Sequence, residues 1–129
     1  METITKFYTP GMGLLLTLAF GFWLSNSGRP YNGILFNIHK LIALGIVILT
    51  VIQVSRLLKI VNSPAVILAL LVVAALCVIA LFASGALMSL NKLDYMLVLT
   101  VHRIAPAVMV LAMGAAIYLV NTMGSLLPK

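Results

Sequence analysis

Apolar residues fill four long stretches of this chain, at about 10–24, 34–58, 64–87 and 95–120, and polar residues gather mostly in the connections between them. Each stretch is near the roughly 20 residues a helix needs to cross the hydrocarbon of a bilayer. The connections are short and rich in turn formers: Ser25-Asn26-Ser27-Gly28-Arg29-Pro30, Lys59-Ile60-Val61-Asn62-Ser63-Pro64 and Ser89-Leu90-Asn91-Lys92-Leu93-Asp94. Loops of this length make consecutive helices antiparallel. The pattern therefore predicts an all-α, up-down-up-down four-helix transmembrane bundle, one domain over residues 1–129. Pro10 and Pro64 stand where the first turn of a helix tolerates proline. Lys6, the apolar run after it and Ser25-Asn26-Ser27-Gly28 have the loose outline of a secretory leader; the segment is counted here as a retained helix.

Composition sharpens the class. The chain is 64% hydrophobic and 8% charged, where a soluble domain carries roughly a quarter of its residues charged. Its mean hydropathy is +1.24, so the bilayer is the expected solvent and the protein is expected to be integral and multi-pass. The net charge of +6 arises from eight Lys and Arg against Glu2 and Asp94. These basic residues are scattered at segment ends, as headgroup anchors are, with no basic cluster and no interleaved aromatics, which excludes nucleic acid as a partner. Lys6, Arg56, Lys59 and Lys129 fall on the side of the termini, and Arg29 and Lys92 on the other, so a count of loops and ends puts the termini in the cytoplasm. Cys77 is alone in an apolar run and can form no internal disulfide.

Two histidines are the candidate chemistry. His39 lies five residues past Ile34 and His102 seven past Tyr95, so at about 1.5 Å per residue both sit some 8–10 Å inside the same interface. On a helical projection the His39 face carries Leu35, Ile42, Ala43, Ile46, Thr50 and Gln53, and its polar members point it inward. The His102 face carries Tyr95, Val98, Ala105, Pro106, Met109 and Met113. Small residues accompany both: Ala43 follows His39 by four, and Ala105 follows His102 by three. Gly13, Thr17, Gly21 and Ser25 form a stripe at every fourth position of the first segment, and Ala83-Ser84-Gly85-Ala86 closes the third. Gly21 and Gly85 are thereby placed at the level of the histidines, where small side chains let a backbone or a flat cofactor approach. Pro106 cannot donate to the His102 carbonyl and is expected to kink that helix.

Two imidazoles at matched depth suit the axial positions of one haem b, giving a saturated, electron-transferring iron. Lys40 and Arg103 each follow a histidine near the interface and are placed to pair with the two propionates or to snorkel to headgroups. The competing reading of each histidine is a hydrogen bond to a neighbouring helix. Met109 and Met113 leave a His/Met pair open, and zinc lacks a third or fourth ligand at that level.

The string His39-Lys40, opening an aliphatic helix that ends Val54-Ser55-Arg56-Leu57-Leu58-Lys59, resembles the second helix of bacterial cytochrome b-561-type proteins. That superfamily includes small four-helix cytochromes that exchange electrons with quinone and the cytochrome b subunits of hydrogenases. The resemblance covers the second helix and, more loosely, the region of His102. Its members usually hold two haems, with further histidines in the first helix and late in the fourth. Here the first helix has none, and the late stretch Ala115-Ala116-Ile117-Tyr118-Leu119-Val120 has none. The resemblance thus implies one retained haem b, ligated by His39 and His102, passing electrons to or from a quinone or a redox protein, alone, as a homo-oligomer or within a larger complex. Tyr31, Asn37, Ser84 and Tyr95 are candidates to line a quinone site.

Two other classes stand beside the cytochrome. A small multidrug-type transporter fits the size, yet proton-coupled export needs a carboxylate inside the membrane, and neither Glu2 nor Asp94 lies inside a span. A cofactor-free anchor or assembly subunit fits the composition equally well. Hydrolytic chemistry has no support: there is no Ser-His-carboxylate set, phosphate loop or metal cluster.

Overall fold

A computed structural model describes residues 5–60, 64–90 and 93–126 as an all-helical chain, with no strand among them. Expectations that fall on Glu2, residues 61–63, Asn91, Lys92 and Lys129 lie outside the described residues. Four helices follow in order: α1 (Tyr8–Asn26), α2 (Gly33–Ile60), α3 (Ala65–Leu90) and α4 (Tyr95–Leu126). All four expected segments are present, each extended at one or both ends. The largest extension is in α4, which continues six residues past Val120 because nothing in Asn121-Thr122-Met123 breaks a helix. α4 also runs through Pro106 as one helix.

Three of the four are long and apolar enough to cross a membrane: 33–59, 65–90 and 95–123. α1 falls short of the expectation. It has 19 residues and dilutes its leucines with Pro10, Gly11, Gly13, Thr17, Gly21, Ser25 and Asn26. At about 1.5 Å per residue it is still close to 30 Å long, near the thickness of the hydrocarbon layer.

The ends are set by local chemistry. The Asn32 carboxamide oxygen accepts from the backbone N–H groups of Ile34 and Leu35, at 3.0 and 3.2 Å, and so caps α2. Asp94 does the same for α4 through the N–H of Met96 at 2.9 Å. α1 closes with the Ser27 N–H on the Trp23 carbonyl, after which Gly28 takes φ of 76°, a turn conformation open to glycine. Inside the helices, hydroxyls return to their own backbone: Thr17 to Gly13, Thr50 to Ile46, Ser55 to Val51 and Thr100 to Met96. An apolar solvent offers these groups no partner, so the helix supplies one. The Thr50 hydroxyl is thus satisfied whichever way its face turns.

The chain divides into two compact units, Met1–Ile60 and Val61–Lys129. In the first, α1 packs on α2. Gly13 lies against Ile46 and Gly21 against His39, so higher numbers on one helix meet lower numbers on the other and the pair is antiparallel. The covered positions recur at three and four: Pro10, Gly13, Thr17, Gly21 and Leu24 on α1, and Leu35, His39, Ile42, Ile46, Thr50 and Gln53 on α2. The face of α2 expected to turn inward is the less exposed one.

In the second unit α3 packs on α4. Ile67, Ala74 and Ser84 are buried on α3, and Val98, Ala105, Ala112, Ala116 and Val120 on α4. His102 and Met109 are half-buried and complete the same stripe on α4, so the seam reads 98, 102, 105, 109, 112, 116. That alternation of four and three belongs to helices that cross at about 20° and interlock their side chains. The buried seam takes in Ala112 beside Met113, and Ala116 and Val120 extend it past the face expected from the sequence.

A Cβ at Gly13 would overlap the end of the Ile46 side chain, which would have to turn aside to admit it. Gly13→Ala is therefore expected to destabilise the α1–α2 hairpin by about 1–3 kcal/mol. Pairing it with Ile46→Ala should recover part of that loss, as a double-mutant cycle of denaturant unfolding in micelles would read. Strict additivity of the two changes would refute the contact.

Candidate functional site

Each hairpin seats one histidine, and each is seated in the same manner. His39 projects from the second turn of α2 onto α1, where its Nδ1 lies 3.0 Å from the carbonyl oxygen of Thr17. A carbonyl only accepts, so Nδ1 carries the proton and donates it, which leaves the lone pair on Nε2. A helix carbonyl is normally screened by the side chain one turn later. Here that residue is Gly21, and a Cβ on it would come within 3.0 Å of His39 Cε1. Gly21 is thus what admits the imidazole to the Thr17 carbonyl.

In the second hairpin His102 projects from α4 onto α3, with Nδ1 2.8 Å from the Ser84 hydroxyl. Ser84 is buried at 3% exposure and also lies 3.1 Å from the carbonyl of Leu81 on its own helix. Gly85, the next residue, faces the ring, and a Cβ there would stand 3.4 Å from His102 Cε1. So both histidines bond through Nδ1 to the helix that precedes them, and both rest on a glycine of that helix.

The other residues expected at the site are placed as follows. Ala43 is half-buried one turn beyond His39, and Ala105 is buried one turn beyond His102. Lys40 is exposed, and its ammonium sits 4.9 Å from the centre of the Phe36 ring, one turn back on the same helix. Phe36 in turn stacks on Tyr31, centroids 6.3 Å apart, so the lysine stem covers an aromatic pair at the start of α2. Arg103 is exposed too, about 100° around the helix from His102. Of the residues considered for a quinone site, Ser84 is the partner of His102. Among the described residues no group of three or more His, Cys, Asp or Glu side chains is gathered.

Two partners were missed from sequence, the Thr17 carbonyl and the role of the Ser84 hydroxyl. The available signal was the pairing of a small or hydroxyl residue with a glycine on the helix before each histidine. The chain matches no family model, no curated protein and no solved structure.

The donor set suits an axial ligand of haem iron. Metal-bound histidines characteristically give their other ring N–H to a carbonyl or similar acceptor, which fixes the ring and raises its basicity. His39 makes such a bond through Thr17, and a glycine lies beside each ring.

The two glycines differ in how tightly they hold the ring. Gly21→Ala should force the His39 imidazole off the Thr17 carbonyl and cost about 1–3 kcal/mol, while Gly85→Ala, which adds an almost ordinary contact, should cost less than about 1 kcal/mol. Denaturant titration of the two variants in micelles checks the order, and a reversed ranking would contradict these seats.

Proposed function

We propose that the chain is a membrane-embedded b-type cytochrome in which His39 and His102 ligate the iron of one haem. The observation that carries this reading is the bond from His39 Nδ1–H to the Thr17 carbonyl, which leaves the ring's lone pair on Nε2, the nitrogen a ligand would use. His102 stands in the same relation to its preceding helix and rests likewise on a glycine. Pairing the two rests on the sequence, which has no other histidine and sets these two at matched depth. When bound, a bis-histidine haem supplies one-electron redox chemistry with no open position on the iron. The protein's own part is to hold two neutral imidazoles in fixed rotamers, in an apolar setting that excludes water. Lys40 and Arg103, one residue beyond each histidine, supply cations near the interface for the propionates. The electron partner is a quinone or a redox protein. Three helices long and apolar enough to cross a membrane support the bilayer as its setting.

One observation favours a second reading. Each imidazole already joins two helices of its hairpin by a hydrogen bond, and such bonds in apolar surroundings contribute to helix association, at about 0.6–2 kcal/mol each. In that case the histidines are cross-links and the chain is a cofactor-free anchor or assembly subunit.

The oxidised and dithionite-reduced absorption spectra of the purified protein separate the two. The cytochrome reading expects a low-spin b-type spectrum in the wild type, lost in both His39→Ala and His102→Ala. A wild type that stays colourless after expression with ample haem overturns it and leaves the cross-link, which expects both variants to lose stability alone.

A further inference from the structure

His39 and His102 differ in the group that holds them. The Thr17 carbonyl can only accept, so the proton on His39 Nδ1 is fixed by its partner. The partner of His102 is a hydroxyl, which both donates and accepts, and a hydroxyl opposite a single ring nitrogen is satisfied by either tautomer. Leu81 breaks that degeneracy. Ser84 Oγ lies 3.1 Å from the Leu81 carbonyl and 2.8 Å from His102 Nδ1, and it has one proton for the two. The carbonyl has no proton to offer, so a hydroxyl that keeps both bonds must give its own to Leu81. Its lone pairs then face the ring, and Nδ1 must donate. Ser84 is buried at 3% exposure in the α3–α4 seam, where bulk water does not compete for either bond.

We propose that Ser84 is a positioning residue whose hydroxyl, committed to the Leu81 carbonyl, holds His102 as the Nδ1–H tautomer and so presents Nε2 as its basic nitrogen. A side-chain hydroxyl thereby does in the second hairpin what a main-chain carbonyl does in the first. Gly85 completes the device by letting the ring come down beside the hydroxyl. The tautomer belongs to the second hairpin alone; what its lone pair is for, haem iron, rests on the function proposed above.

The test is 15N NMR of the full chain with ring-labelled histidine, purified free of haem and held at mildly alkaline pH, where an imidazole is neutral. His39→Gln assigns the two ring systems. The wild type is expected to show a protonated Nδ1 and a bare Nε2 at both histidines. Ser84→Ala should shift His102 to a mixed or inverted tautomer and leave His39 unmoved, and Ser84→Thr, which keeps the hydroxyl, should restore Nδ1–H. If Ser84→Ala does not fold, Ser84→Cys takes its place, being close in shape and a far weaker hydrogen-bonding group. A wild-type His102 protonated on Nε2, or a His102 that keeps Nδ1–H as fully without the hydroxyl, overturns the proposal. Because the protein is metal-free in this experiment, a chain that never takes up haem defeats the cytochrome reading and leaves this result standing.

Discussion

Helices in an apolar solvent gain little by hiding hydrocarbon from one another, so their association depends on how closely two backbones can approach. Both hairpins have seams of the kind this constraint favours. Where α1 meets α2, the seam is cut down to Gly13, Thr17 and Gly21. Where α3 meets α4, Ala74, Ser84, Ala105, Ala112 and Ala116 lie between larger buried residues, Ile67, Val98 and Val120. Both histidines sit in these seams. Each imidazole rests on a glycine of the facing helix, tightly at Gly21 and with ordinary spacing at Gly85.

The same apolar surroundings account for the hydrogen bonding. A donor with no partner is expensive where water is absent, and Thr17, Thr50 and Thr100 close onto their own helices one turn back. An imidazole cannot do so at its depth in a seam and reaches across instead. The crossing bond is thus both a way to satisfy the ring and a way to orient it. Lys40 lies outside this arrangement, exposed and with its charge over the Phe36 ring.

Much of this was legible in the residue order. Hydropathy located all four helices, because long apolar runs broken by Asn, Gly, Pro and Asp leave little choice. The inward faces of α2 and α4 were legible from the three-and-four recurrence of small and polar residues. Gly21 and Gly85 were placed at the level of the histidines for a sound reason, the room that small residues leave. The span of α1 was overstated, since its glycines and polar residues help the helix pack but weaken its claim as a membrane segment. The Thr17 carbonyl was invisible because a main-chain acceptor is not a residue type; only the gap at Gly21 betrays it. Ser84 was visible as a polar residue, but its partner depends on which helix face meets His102.

Both histidine contacts are short in sequence terms, 22 residues apart for Thr17 and His39 and 18 for Ser84 and His102. Contacts this local form early, because little chain entropy is lost in closing them. As the chain emerges from the ribosome, His39 can be oriented as soon as its own pair of helices has been made, before α3 exists. His102 follows in the same way with the second pair. Each imidazole can therefore be oriented by its own pair of helices, without waiting for the other.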